Sequence, residues 1–367
     1  MKKKIVILGC GKIGKLVLCL LAQSKDYEIT VAELSEKSFQ HLFLEIPFLK
    51  NHENIKYTEC DFQNENDLKK TLSKQDYVLS CAPFFCNKKI AKIAKEQQVH
   101  YLDLTEDVET THNIKSLAVN SKTDFIPQCG LAPGFITIIA QNLMNQMDEV
   151  FDVKMRVGAL PLCPNNRLKY NLTWSVDGLI NEYCNPCESI VDGKLYNVQA
   201  LEGYEHFEID GSRYEAFNTS GGLGTFATEI IGKVKNMNYK SVRYEGHCEM
   251  MKTLLWDLKL KEDRINLKNI FEKSLPYTLD DVVIVFSVVS GILNGKLVEK
   301  VYSQKIRSKK IFGIHWGAIQ VSTAASICAV LDMHCCGKMK KNGFIHQQDI
   351  LFDEFIQNRF GQYFQME

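Results

Sequence analysis

The sequence has no excess of either charge: 44 Lys and Arg offset 44 Asp and Glu, and the pI sits near neutrality. A chain so balanced offers no basic face to track a phosphate backbone, so nucleic acid is not an expected partner, and Lys2–Lys4 reads as the solvated start of a first strand. No hydrophobic leader with a cleavage site opens the chain; the first apolar run is a strand followed by a turn, so no secretory signal is expected. No internal repeat or low-complexity linker interrupts it. Cys184-x-x-Cys187 has no second pair at zinc spacing, and Asn185-Pro186 lies between its sulfurs, so no metal site is expected. The longest apolar stretch, 313–333, carries Gln320, Ser322, Thr323 and Ser326 among small residues. That suits a helix buried in a large protein better than a membrane span.

What is present points to two domains, since single cores seldom grow past roughly 250 to 300 residues and the chain has 367. Thirteen cysteines, an odd number scattered through strands and helices, read as reduced, mostly buried thiols in a cytoplasm.

The first 33 residues organise the rest. Lys4–Leu8 is a β-branched apolar run; Gly9, Gly11 and Gly14 follow in G-x-G-x-x-G spacing, with Lys12 and Ile13 inside the motif. Helical spacing of Ile13, Leu16, Val17, Leu20 and Leu21 begins at once. Strand, glycine turn and helix together form a cradle for a dinucleotide pyrophosphate, held by free amides at the helix start. The alternative is a glycine turn in some other α/β protein. A second strand ends on Glu33, at the distance expected of an acid that bonds the adenosine ribose. Because Glu33 would repel a 2′-phosphate and no Arg follows it directly, NAD is expected in preference to NADP, with Lys37 holding the second choice open.

Strands alternate with helices to residue 130, which predicts a Rossmann-type, doubly wound parallel sheet. Ligands in such sheets lie beyond the carboxyl ends of the strands. Those ends are Asp61, an adenine-pocket candidate or equally a cap for the helix from Gln63; the small tip Ala82-Pro83; Asp103; and Cys129. From residue 151 the texture changes to alternating strands, at 153–160, 170–174, 214–217, 282–289 and 296–306, with Asx-Gly turns at 192–193, 210–211 and 294–295. This predicts a mostly antiparallel sheet with helices on one face, an α+β substrate domain over 134–315. Residues 1–133 with 316–367 form the expected nucleotide-binding domain, the apolar helix 316–333 returning to it.

Seven segments together resemble the saccharopine dehydrogenase family, most of all its lysine 6-dehydrogenase branch. They are G-C-G-K-I-G, D-L-T at 103–105, C-G-L-A-P-G at 129–134, G-L-I-N-E-Y-C-N-P at 178–186, N-T-S-G-G-L-G-T at 218–225, K-S-V-R-Y-E-G-H at 240–247 and G-F-I-H-Q-Q-D-I at 343–350. The resemblance runs nearly end to end. Two departures stand out: His346-Gln347-Gln348 replaces a more usual Pro-Glu, and Ser241 stands where that branch often has Thr. The resemblance implies NAD(P)-linked oxidation of a carbon–nitrogen bond in lysine, at its side-chain amine, or in saccharopine, and a homodimer. Reductive coupling of a polyamine with an aldehyde, and NAD sensing without turnover, are the alternatives.

Oxidising a C–N carbon requires a neutral amine and a base to take its proton, while an amino-acid substrate needs a cation for its carboxylate. Lys240, Arg243 and His247 read as that cluster, at a strand-to-helix corner ahead of an amphipathic helix over 248–260. Arg243 is assigned to the carboxylate, unless it pairs with a surface acid such as Glu245. His247 is assigned to the base or to amine positioning, unless it is a helix cap. Thr219 and Ser220 lead a glycine loop suited to a ligand, or a plain hairpin turn. Tyr170, Trp174 and Tyr183 would wall a lysyl chain with Glu182 facing its ammonium, or be simple core. Asp103 is a catalytic candidate, and Cys129 is a small residue beside the nicotinamide rather than a nucleophile.

Overall fold

The computed structural model describes residues 2–52, 54–339 and 343–365. Residues 1, 53, 340–342, 366 and 367, all inside the expected nucleotide-binding domain, lie outside the described residues. Strand β1 (Lys3–Leu8) is buried from Ile5 onward and passes through the glycine turn into α1 (Lys12–Ser24). Then follow β2 (Tyr27–Glu33), α2 (Glu36–Glu45), β3 (Ile55–Glu59), α3 (Glu65–Leu72), β4 (Tyr77–Ser80), α4 (Phe84–Gln97), β5 (His100–Asp103), α5 (Val108–Ala118) and the short β6 (Phe125–Ile126). These six strands form one parallel sheet in the order β3-β2-β1-β4-β5-β6. The order reverses between β1 and β4, and a crevice opens beyond the strand ends at such a point. The expected Rossmann-type half is therefore present, and its ligand end is fixed by topology.

Helix α6 (Phe135–Met144) leads into the long strand β7 (Glu149–Pro161), followed by α7 (Val176–Cys184), β8 (Cys187–Val191), β9 (Lys194–Val198), β10 (Glu205–Ile209) and β11 (Ser212–Asn218). After these come α8 (Phe226–Glu229), β12 (Asn236–Tyr244), α9 (His247–Lys252), α10 (Arg264–Ser274), β13 (Asp281–Leu293) and β14 (Lys296–Arg307). The second sheet runs β10-β11-β12-β7-β13-β14, with β8 and β9 joined to β12. Its pairs are antiparallel except β12 with β7, as the mostly antiparallel expectation requires. All three Asx-Gly pairs close hairpins with both residues at positive φ, the backbone that matches strand twist: 47° and 76° at Asp192-Gly193, 51° and 71° at Asp210-Gly211, 52° and 72° at Asn294-Gly295.

Helix α11 (Ala318–Cys335) is long and apolar enough to cross a membrane by length and composition alone, yet 83% of it is buried inside the protein. It packs on α1 and β13. Asp281 accepts from the Ala318 and Ile319 amides at its start, and Asp332 near its end accepts from Tyr27, Asn358 and Arg359. Such satisfied carboxylates suit a helix buried by protein.

Two expected elements differ. Residues 170–174 form no strand; a single bridge joins Leu172 to Tyr277, between a left-handed Lys169 (φ 50°) and Ser175, which caps α7. The helix expected over 248–260 ends as α9 at Lys252, widens into a π turn at Thr253–Asp257 and stops at a left-handed Lys259. Hydrophobic periodicity does not register that extra residue per turn.

Candidate functional site

The glycine turn has the shape a pyrophosphate needs. A Cβ at Gly14 would lie 2.0 Å from the Gly9 carbonyl oxygen, so strand and helix touch as only glycine allows, and Gly9 itself has φ +91°. A Cβ at Gly11 would meet nothing within 4 Å, so this side of the loop is open. No side chain caps α1, which leaves its leading amides for an anion. A dinucleotide therefore fits these residues. Lys12 lays its Nζ 4.1 Å from the centre of the Tyr277 ring, from the second module, and burial holds its pKa down. Ile13 is half-buried beside it. Ala82 and Pro83 follow β4, Pro83 capping α4. Asp61 is exposed and accepts from the Gln63 amide at 2.8 Å, ahead of the helix, but the cap of α3 is Asn64, which corrects the helix-cap reading of Asp61.

Asp103 and Cys129 face inward. Asp103 is fully buried; its oxygens accept from Tyr101 Oη at 2.7 Å and from the amides of Gln128 and Thr105 at 2.8 and 3.1 Å. Burial pushes its carboxyl up to about 6. With three donors on it, Asp103 ties the ends of β5 and β6 together, which corrects its candidacy as a catalytic acid. Cys129 is also fully buried, its Sγ donating to the Ile126 carbonyl and accepting from Gln347. Its thiol is thus engaged by the protein itself and is not exposed at the strand ends.

The cluster at 240–247 divides by strand parity. Residues three apart on a strand point to opposite faces. Arg243 turns towards α7, whereas Lys240 turns the other way, to bond Glu205 at 2.8 Å next to Arg156. Lys240 is therefore removed from the catalytic set. Arg243, 3% exposed, donates through Nε to Tyr183 Oη (2.8 Å) and through Nη2 to Glu182 (3.3 Å), not to the surface acid Glu245. Tyr183 Oη lies 2.9 Å from His247 Nε2, and His247 Nδ1 lies 2.8 Å from the Leu168 carbonyl. A carbonyl only accepts, so Nδ1 carries the proton and Nε2 accepts from Tyr183, whose oxygen in turn accepts from Arg243. Burial, with the Arg243 charge alongside, drives the His247 pKa down to about 3. With both nitrogens engaged, His247 holds Tyr183 and, through it, Arg243 in place. Tyr170 is buried against Arg243, its ring centre 5.2 Å from the guanidinium carbon, and receives the Trp174 indole N–H at 3.2 Å.

The glycine loop proves to be a joint. A Cβ at Gly221 would sit 2.5 Å from the Glu106 carbonyl oxygen, one at Gly222 would strike the Tyr239 ring, and one at Gly224 would strike Gln128. Gly221 and Gly224 let the second module close onto the first, while Gly222 makes room for Tyr239 of β12 within the second. Thr219 is spent on Ser241, hydroxyl to hydroxyl at 2.8 Å, which removes it from the substrate set. Ser220 donates its amide to the Glu182 carbonyl and lines a cleft of about 750 Å³ between the modules. Glu106, Glu188, His112 and Asn181 line it too.

Sequence reasoning missed Glu106 and Asn181. Glu106 stands in the acidic run 103–107, which reads as a helix start, and only the approach of Gly221 and α7 brings it to the cleft. Burial lifts the carboxyls of Glu106 and of Glu182 to about 7, in Glu182 against the pull of Arg243.

Residues 5–124 match the family model described as the saccharopine dehydrogenase NADP binding domain, and residues 130–362 match that of the saccharopine dehydrogenase C-terminal domain. The mitochondrial alpha-aminoadipic semialdehyde synthase of Rattus norvegicus is 24% identical over 264 residues, covering 68% of this chain and 28% of that protein. The chain thus spans about a quarter of that relative's length. Saccharopine dehydrogenase [NADP(+), L-glutamate-forming] of Saccharomyces cerevisiae is 22% identical over 290 residues, 76% of this chain and 62% of that protein. Among solved structures, apo saccharopine dehydrogenase (L-Glu forming) from Saccharomyces cerevisiae superposes with a TM-score of 0.77 at 16% identity, over 97% of this chain and 96% of the other, and so shares its fold.

These matches overturn the expectation of NAD in preference to NADP: the matching domain is an NADP-binding one, and the Saccharomyces cerevisiae and Schizosaccharomyces pombe relatives are named for NADP(+). Glu33, on which that expectation rested, has its carboxylate bonded to the Cys10 amide inside the glycine turn. With both of its halves matched, the chain belongs to the saccharopine dehydrogenase family.

Proposed function

We propose that the protein is a dinucleotide-dependent oxidoreductase of lysine metabolism, acting on the C–N bond of a lysine-derived amine, saccharopine foremost, with NADP(H) as cofactor. The observation that carries this reading is the cleft between the modules. Glu106 from the nucleotide side and Ser220 from the substrate side both line it, and the Ser220 amide bonds the main-chain carbonyl of Glu182, whose side chain pairs with Arg243. The residues divide the work. The glycine turn and the start of α1 take the pyrophosphate; Ser35 and Lys37, at the start of α2, offer a hydroxyl and a cation to a 2′-phosphate. Arg243, stiffened by Tyr183 and His247, is the cation nearest a substrate carboxylate, which would exchange with Glu182. The bound nicotinamide supplies hydride chemistry; the protein supplies orientation and proton handling.

The test is a panel of saccharopine, lysine, ornithine and agmatine with NADP and with NAD, followed by reduced-nicotinamide absorbance. Saccharopine-dependent reduction of NADP is expected. Reduction with lysine alone would move the assignment to the lysine 6-dehydrogenase branch, and reduction with none of the four would refute it.

A further inference from the structure

We propose that Glu106 receives the substrate's amine: the nitrogen docks on its carboxylate, across from Glu182, and yields a proton to it. This rests on the reading of the chain as a C–N oxidoreductase and assigns the proton acceptor that reading lacks. The loop after β5 carries Glu106 to the cleft, where its main-chain carbonyl is clamped against Gly221. Its Oε1 would be 2.8 Å from a Cβ at Gly178, a position any side chain would deny by striking the Trp174 ring as well. Glycine at 178 is therefore what admits the carboxylate beside α7. No side chain among the described residues donates to it, in contrast to Asp103, Glu182, Glu205 and Glu215, each of which is held by side-chain or backbone donors.

A second group in the same cleft also lacks a partner. Asn181, 9% exposed, gives its Oδ1 to Arg264 at 3.2 Å, which fixes the amide orientation, and its Nδ2 is buried without an acceptor. A buried donor left unmet costs about 1 to 3 kcal/mol, which a ligand oxygen would recover. A carboxylate that receives only its own backbone amide and no side-chain donor, and an amide without an acceptor, on two modules facing one cleft, together specify a ligand bearing an amine and an oxygen acceptor. An amino acid has both.

The electrostatics fit the role. Asp103 and Asp107 on the same strand end and loop, and Glu182 on α7, raise the cost of charging Glu106, while Arg243 acts on Glu182 from behind. Glu188 of the second module and His112 of α5 line the same cleft. Glu106 so placed is half-ionised near neutrality, where a general base works best. The step balances: the ammonium loses one proton to a Glu106 oxygen, leaving a neutral amine whose lone pair can assist hydride departure, and the carboxylate becomes a carboxylic acid.

The experiment compares wild type with Glu106→Gln, with NADPH fluorescence as the control for folding. The variant is expected to lose about a hundredfold in kcat while NADPH binds within about twofold, and the rise of kcat/KM with pH near 7 should vanish; Glu106→Asp should restore part of it. Unchanged kcat/KM and an unchanged pH limb would overturn the inference. If wild type oxidises no amine, the functional reading fails, and calorimetry of lysine and cadaverine on the NADP-loaded protein still decides this one. Binding weakened about tenfold or more by Glu106→Gln supports it. Equal binding to both proteins, or none to either, overturns it.

Discussion

Tyr183 Oη stands 2.9 Å from His247 Nε2, and its phenol proton points to the histidine because Arg243 Nε already donates to the same oxygen from 2.8 Å. One hydroxyl thereby satisfies two buried side chains and fixes the orientation of the guanidinium. The relay from Glu182 through Arg243, Tyr183 and His247 to the Leu168 carbonyl is held together as one buried unit.

Replacing Tyr183 by Phe leaves Arg243 Nε and His247 Nε2 buried without partners. Stability should fall by about 2 to 6 kcal/mol, at about 1 to 3 for each group, read as a lowered Tm. KM for the carboxylate-bearing substrate should rise more than kcat falls. A Phe variant with wild-type Tm and KM would show that the hydroxyl orders nothing.

Acid should loosen this region through His247. Its folded pKa, near 3, lies below the ordinary histidine value of 6.5, so the native state resists protonation that the unfolded chain accepts. The neutral form's advantage is complete above about 6.5 and is lost as pH falls towards 3. Urea melts of wild type and His247→Asn across that window should show a steeper loss in wild type; parallel curves would contradict it.

Gly14→Ala drives a Cβ into the Gly9 carbonyl, 2.0 Å away. Backbone cannot move aside as a flexible side chain can, so the helix must lift from β1. The cost should reach about 3 kcal/mol or more, and NADPH quenching of protein fluorescence should weaken by at least about tenfold. Retained binding would mean the pyrophosphate lies elsewhere.

Lys37→Ala tests the 2′-phosphate. Loss of one charge-assisted bond at an exposed helix start should weaken NADPH by about five- to tenfold and leave NADH nearly unchanged. Equal losses for both would remove Lys37 from the site.

Asp103→Asn separates scaffold from catalyst. An amide offers one acceptor oxygen where the carboxylate offers two, so a buried donor among Tyr101, Thr105 and Gln128 goes unmet. Stability should drop by about 1 to 3 kcal/mol, with kcat of the folded enzyme within about threefold. A collapse of kcat at wild-type Tm would restore Asp103 to the chemistry.

Much of this architecture was legible because its determinants are local. The apolar run to Leu8, the glycine spacing and the Asx-Gly pairs each dictate backbone within a few residues, and each is found as read. The cluster at 240–247 was legible only in part. Lys240 and Arg243 look adjacent in sequence, but alternation along β12 sends them to opposite sides of the sheet. His247 reads as a base until the Leu168 carbonyl, 79 residues away, fixes its proton. Glu106 gave no signal, since its environment is built by Gly178 and Gly221 from another module.

The clasp at Gly221 and Gly224 has a mechanical corollary. Main chain of the first module is seated in main chain of the second there, with Thr225 further latched to Gln128 and His346. Glu106 and Ser220 flank this clasp, so their spacing is set by main-chain contact between the halves rather than by side chains alone.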